Sequence, residues 1–262
     1  VPILHAIVLG IVQGLAEFLP ISSSGHLILV PWLFGWHELD NNVDLKRTFD
    51  VALHMGTFVG AIIYFRKDIW RFIFRDRRMG WLLVLASVPA GITGVLLDSV
   101  MEDQFSAEWL IGAMLIVFGV VLWWADHLPE RRGESEFAPR PALAMGIAQA
   151  VALQPGVSRS GVTMSAARYL GFSRDAAARL SFLMSIPIIG GAGLYKGFDV
   201  VKEGGIPSEF VGAFFWGTLA SGITGFVAIW GLLKLIRSRG FAPFVIYRIL
   251  FGIFVIGVAI AR

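Results

Sequence analysis

Two short polar segments, 136 residues apart, interrupt a chain that is otherwise mostly apolar. One runs from Gly10 to His26 (GIVQGLAEFLPISSSGH) and the other from Gly146 to Val162 (GIAQAVALQPGVSRSGV). Laid over each other without a gap, they match at Gly10/Gly146, Ile11/Ile147, Gln13/Gln149, Ala16/Ala152, Ser22/Ser158, Ser24/Ser160 and Gly25/Gly161. A polar turn duplicated inside an apolar chain points to an internal repeat with a site built where the repeats meet.

The setting is a membrane. Hydrophobic residues make up 56% of the chain, charged residues 16%, and the mean hydropathy is +0.72, far from a soluble domain and close to a polytopic membrane protein. The formal charge is only +3, and the basic residues gather between apolar stretches, which speaks for membrane topology and against nucleic-acid binding. The chain has no cysteine, so disulfides, zinc–thiolate sites and cysteine nucleophiles are excluded. The N-terminal apolar stretch contains Gln13 and Glu17 and has no basic leader, so it is not expected to be a cleaved signal peptide.

Six apolar stretches, near 49–65, 81–98, 108–126, 176–196, 210–233 and 242–261, are long enough to cross about 30 Å of hydrocarbon as helices. The two polar segments differ. Runs 3–19 and 21–35 are separated by Pro20 and the serine triplet, and 141–154 and 159–170 by Pro155-Gly156. Backbone broken at membrane depth is tolerated only where protein or a watery cavity covers it, so each pair is expected to form a re-entrant hairpin. The connections 66–80, 127–140, 171–175 and 234–241 then share one side. Arg66, Lys67, Arg71, Arg75, Arg77 and Arg78 in the first, with Lys234, Arg237 and Arg239 in the last, put that side in the cytoplasm. The stretch 98–108 carries Asp98, Glu102, Asp103 and Glu108 without Lys or Arg and falls outside. Three spans per half invert one half relative to the other. The expected fold is all-α and integral to the membrane: one domain over 1–262, with six transmembrane helices and two re-entrant hairpins. They form two inverted-topology repeats, about 1–126 and 141–262. A fainter echo, Leu85–Gly94 against Leu219–Gly225, fits the duplication but also fits small residues recurring on packing faces.

The first hairpin carries groups capable of acid–base chemistry. Gln13 and Glu17 are four apart and share a helix face, and a carboxylate at that depth is a functional candidate. Ser22, Ser23 and Ser24 open the helix containing His26. One of them is expected to be an N-cap, while free N–H groups at a helix start also favour phosphate oxygens. Ser23 and His26, three apart, could act as nucleophile and proton shuttle; buried serines and histidines also simply satisfy each other. In the second hairpin Arg159 stands where the first has Ser23. Its planar fork suits phosphate, and Ser158, Ser160 and Thr163 add donors. If the tips meet, Arg159 faces Glu17, Ser23 and His26 in an anion cradle.

Gln13 with Glu17-Phe-Leu-Pro-x-Ser-Ser-Ser-Gly-His26, and Pro155-Gly-Val-Ser-Arg-Ser-Gly-Val-Thr163, resemble the two signature motifs of the undecaprenyl-diphosphatase family, BacA/UppP. The resemblance extends over essentially the whole chain in length, span count and motif spacing. It implies hydrolysis of undecaprenyl diphosphate to the monophosphate and inorganic phosphate, which recycles the lipid carrier for peptidoglycan and other cell-wall polymers, with bacitracin resistance on overproduction. It implies a multi-pass protein of the bacterial inner membrane with its site facing the periplasm, and a divalent cation, Mg2+ or Ca2+. Glu17, Ser23, His26 and Arg159 match residues on which the family relies. Gln13 stands where many members have a first glutamate, leaving Glu17 as the main metal ligand or base, and Ser24 where some have threonine. Ser22, Ser24, Ser158, Ser160, Thr163 and Gln13 are expected to hold phosphate. The expected partners are the polyisoprenyl diphosphate and membrane lipids, with a homodimer left open. Attack by Ser23 and direct attack by water both remain open at this level. The rival class is a transporter or flippase for a lipid phosphate using the same anion site.

Overall fold

The computed structural model describes residues 1–38, 43–104, 107–202 and 205–262. Among these, ten α-helices follow one another: α1 (Ile3–Phe18), α2 (Ser23–Phe34), α3 (Val43–Phe74), α4 (Arg77–Gln104), α5 (Glu108–Asp126), α6 (Pro139–Val151), α7 (Arg159–Tyr169), α8 (Arg174–Lys202), α9 (Val211–Arg239) and α10 (Ala242–Ala261). Six of them, α3, α4, α5, α8, α9 and α10, are long and apolar enough to cross a membrane, and each covers one of the six stretches expected to within one residue. The other four have 16, 12, 13 and 11 residues. At 1.5 Å per residue, even α1 reaches only about 24 Å.

The basic stretch after residue 65 is mostly helix rather than an open connection. Phe65 leaves helical geometry (φ −91°, ψ 15°) and kinks α3, which then continues to Phe74. Arg66, Lys67 and Arg71 alternate there with Ile69, Trp70 and Ile73, so the extension keeps a charged and an apolar side; Trp70 is 63% exposed. Likewise α4 runs on to Gln104 through the acidic stretch; the side chains of Asp98, Glu102 and Asp103 lie outside the described ones.

Small residues bring the helices together. α1 and α3 both pack along α9, α4 along α6, and α5 along α10. At Gly14, a Cβ would lie 1.8 Å from Thr224 Oγ1 and 2.6 Å from the Ser221 carbonyl oxygen, so only glycine lets α1 approach α9 this closely. In lipid no hydrophobic force drives helices together, and this kind of backbone approach takes its place. Buried hydroxyls add to it: Ser221 Oγ donates to the Leu53 carbonyl at 2.7 Å. Large apolar side chains such as Val95, Leu250 and Ile223 point away from the bundle. Phe18, Phe65, Phe182 and Phe241 belong to the largest buried apolar cluster, with Phe18 and Phe182 in edge-to-face contact at 5.5 Å.

Charged groups tie down the connection between α5 and α6. Asp126 accepts from Arg174 Nε at 2.5 Å and from the Phe241 amide at 3.1 Å. Buried Arg168 donates to the carbonyls of Phe172 at 2.7 Å, Asp126 at 3.2 Å, and Leu128. Arg179 bridges Asp68 and Glu134 at 3.1 and 2.7 Å.

Candidate active site

Both short-helix pairs turn in the same way. α1 stops at Phe18 because Pro20 pushes Leu19 into an extended conformation (ψ 141°). α2 then starts from Ser22, and α7 starts from Ser158 after Pro155-Gly156. The two serines hold the unusual positive φ angles of 77° and 75°, and each caps its helix by accepting the amide three residues on, Gly25 at 3.4 Å and Gly161 at 3.1 Å. A non-glycine residue in that region costs roughly 1–3 kcal/mol and persists only where its surroundings fix it.

The surroundings are the opposite tip. The Gly156 amide donates to Ser22 Oγ at 3.0 Å, and Ser160 Oγ donates to the Leu19 carbonyl at 3.0 Å. Arg248, projecting from α10 and fully buried, clamps both tips: its guanidinium donates to the carbonyls of Pro20 (3.0 Å), Gly156 (2.8 Å), Val157 (3.0 Å) and Leu115 (3.1 Å). Carbonyl oxygens freed where the helices break are thus satisfied by a side chain able to make five such bonds.

Glu17 is the centre of the polar cluster. One carboxylate oxygen, Oε1, accepts from Arg159 Nη2 at 2.7 Å. The other, Oε2, accepts from Ser23 Oγ at 2.7 Å and Gln13 Nε2 at 3.1 Å, and His54 Nε2 lies 3.5 Å from it. Arg159 is held from behind by donating Nη1 to the Ser181 carbonyl at 2.9 Å. Gln13, Glu17, Ser23 and Arg159 therefore meet, drawn from α1, α2 and α7.

His26 is placed differently from the expectation. Ser23 and His26 do not pair. On α2 a spacing of three leaves the two side chains roughly 60° apart around the axis; Ser23 turns to α1 and His26 to α10. The His26 ring lies between Nδ1–Ser22 carbonyl and Nε2–Tyr247 hydroxyl contacts of 2.7 and 2.6 Å, and stacks on Phe251 at 5.0 Å. Both ring nitrogens are engaged with protein. The hydroxyls expected to hold phosphate are also used within the protein: Ser22 and Ser158 as caps, Ser160 on Leu19, and Thr163 Oγ1 on the Arg159 carbonyl at 2.8 Å and Ser181 Oγ at 2.7 Å. The three serines shape the tips, and Thr163 ties α7 to α8. Ser24 lies in the first turn of α2 and is only partly buried.

Sequence reasoning passed over His54, Arg248 and Tyr247. The first two carried a readable signal, since both are ionisable residues inside predicted apolar spans. Tyr247 gave none, because tyrosine is ordinary in a membrane helix.

Among the described residues, no three His, Asp or Glu side chains cluster as a metal site. A divalent cation nonetheless fits the donor chemistry present. Gln13 Oε1 is buried without a hydrogen-bond partner, beside the Glu17 carboxylate and Ser23 hydroxyl. Mg2+ is commonly held by one or two carboxylates together with substrate phosphates, so oxygen donors here would be completed by a diphosphate.

A family model described as bacitracin resistance protein BacA matches residues 6–254. A protein of Pelotomaculum thermopropionicum named undecaprenyl-diphosphatase is 47% identical, over 99% of this chain and 98% of its own length. Proteins of the same name are 43% identical in Geobacter sulfurreducens, over 99% of each chain, and 42% in Hahella chejuensis, over 95% of each.

Proposed function

This chain belongs to the bacitracin resistance protein BacA family, and on that premise we propose that it is an undecaprenyl-diphosphatase, a membrane-embedded hydrolase that releases inorganic phosphate from undecaprenyl diphosphate. The observation that carries the reading beyond the relatives' name is the Glu17–Ser23–Arg159 cluster, with contacts of 2.7 Å on both sides of one carboxylate. An anion transporter needs donors at such a site; it does not need a hydroxyl aimed at a buried carboxylate.

In this proposal Ser23 is the nucleophile. Ser22 does the capping, so the Ser23 hydroxyl is directed to Glu17. Ser23 Oγ bonds to the terminal phosphorus, the bond from that phosphorus to the bridging oxygen breaks, and undecaprenyl phosphate leaves with the electron pair. Glu17 takes the serine proton. Arg159 turns its fork from Glu17 to the phosphoryl oxygens, where fixed positive charge is worth most. Water then attacks the phosphorus of the phosphoserine, its bond to Ser23 Oγ breaks, Glu17 returns its proton to that oxygen, and inorganic phosphate leaves carrying the oxygen and protons of the water. A divalent cation bound by Gln13 Oε1, Glu17 and the diphosphate would neutralise phosphate charge. His26 holds the Ser22 carbonyl and thereby the turn. The test is phosphate release from undecaprenyl diphosphate by the purified protein: release that a chelator abolishes is expected, and an inert protein overturns the reading.

The proposal includes the membrane arrangement: two re-entrant hairpins in inverted repeats, in the bacterial inner membrane, with the site facing outside. The gapless motif match, the shared positive φ at Ser22 and Ser158, and the packing of α1 on α9 mirrored by α6 on α4 support it. Single cysteines at Arg75 and Glu209 are expected to label from opposite faces of the membrane, Arg75 from the cytoplasm. Labelling of both from one face removes the arrangement.

A further inference from the structure

Glycines close one pair of helices in this bundle and leave space unfilled beside another pair. Between α3 and α9, a Cβ at Gly56 would meet the Thr218 carbonyl oxygen at 2.3 Å, and one at Gly60 the Gly222 carbonyl oxygen at 2.5 Å. There the missing side chains let backbones touch. Between α4 and α8 they touch almost nothing. A Cβ at Gly91 would find only Ile188 Cδ1 at 3.8 Å, one at Gly94 only Leu153 Cδ2 at 3.8 Å, and one at Gly191 nothing within 4 Å. The space left is a crevice of about 560 Å3, inside the range of about 300–1,000 Å3 usual for ligand sites.

One wall of this crevice is polar. Arg159 and Gln149 line it. Gln149 is 2% exposed, and neither its Oε1 nor its Nε2 has a hydrogen-bond partner. A buried amide left this way is costly unless a ligand or water completes it. The rest of the lining is mostly apolar, with Ser87, Tyr195 and Lys196 as its other polar members, and Val88 and Val95, 44% and 67% exposed, open the crevice sideways from the bundle. A larger groove of about 760 Å3 runs outside the α3–α9 contact, but its lining includes none of the site's side chains.

We infer that the α4–α8 crevice takes the polyisoprenyl chain of the substrate, with Gln149 Nε2 donating to the phosphate nearest that chain. An amphiphile with an anionic head uses both the arginine and amide of this lining and its mostly apolar, laterally open remainder. Arg159 belongs to the crevice and to the phosphate site alike, so head and tail are continuous. The inference rests on the diphosphatase reading and adds the route of the lipid to it.

Gly91→Leu and Gly191→Leu fill the crevice where a side chain meets no close neighbour, so the bundle should still assemble. The expected result is a fall of at least about tenfold in kcat/KM for undecaprenyl diphosphate relative to isopentenyl diphosphate, mainly through KM. Ile223→Trp, in the α3–α9 groove, should leave that ratio at the wild-type value. A photoreactive polyisoprenyl diphosphate should label α4 and α8 rather than α3 and α9. Wild-type chain-length ratios in both leucine variants, or labelling confined to α3 and α9, overturn the assignment. A wild-type protein inert toward both substrates, yet labelled on α4 and α8, defeats the hydrolase reading and leaves the lipid site standing.

Discussion

Ser23→Ala is expected to reduce turnover by on the order of 10³-fold or more, as loss of a nucleophile does, while the protein still binds the lipid diphosphate. The hydroxyl removed makes its bond to Glu17, not to a backbone amide; capping of α2 belongs to Ser22. Loss of a cap would cost about 1 kcal/mol of stability and little activity. Loss of the attacking atom removes an interaction that exists only as the phosphorus–oxygen bond forms, so it appears in kcat and not in binding. Steady-state phosphate release and equilibrium binding of substrate, measured on the same detergent preparation, separate the two. Near-wild-type turnover in Ser23→Ala would remove serine from the chemistry and leave water as the attacking group, with Glu17 beside it.

Arg159→Lys keeps the charge but should still lower kcat/KM by about 10²–10³-fold, the usual cost of losing one preorganised donor to a transferring group. The guanidinium spans two places at once: Nη1 on the Ser181 carbonyl at 2.9 Å and Nη2 on Glu17 at 2.7 Å. An ammonium is a single point of charge on a flexible stem and cannot hold the backbone carbonyl while presenting a planar edge to phosphate. Fold and expression should survive, because Glu17 keeps a cation nearby and is not left as a lone buried charge. Activity close to wild type in Arg159→Lys would make Arg159 a counter-charge and dissolve the cradle.

The amino-acid sequence by itself determined the all-α class, the six apolar spans and the two polar turns, because each is written locally. About twenty apolar residues satisfy their own backbone only as a helix, and Pro20 holds Leu19 out of helical geometry. Motif residues could be named as a set for the same reason: polar groups in apolar segments stand out one at a time. Pairing is another matter. Whether Ser23 meets His26 or Glu17 depends on which helix lies beside each edge of α2, and a spacing of three residues allows both. Tertiary structure put α1 beside Ser23 and α10 beside His26, so the histidine went to Tyr247 and the serine to the carboxylate. It also turned Ser22, Ser158 and Ser160 inward onto backbone groups left where the helices break, and Thr163 onto the Arg159 carbonyl and Ser181 Oγ. Arg248 lies 228 residues from Pro20, whose carbonyl it holds, and no local pattern contains that distance. Glycines show the same division. Gly56 and Gly91 look alike in the sequence, yet one closes a helix contact and the other borders a cavity, because only the neighbouring helix decides whether a missing side chain is filled.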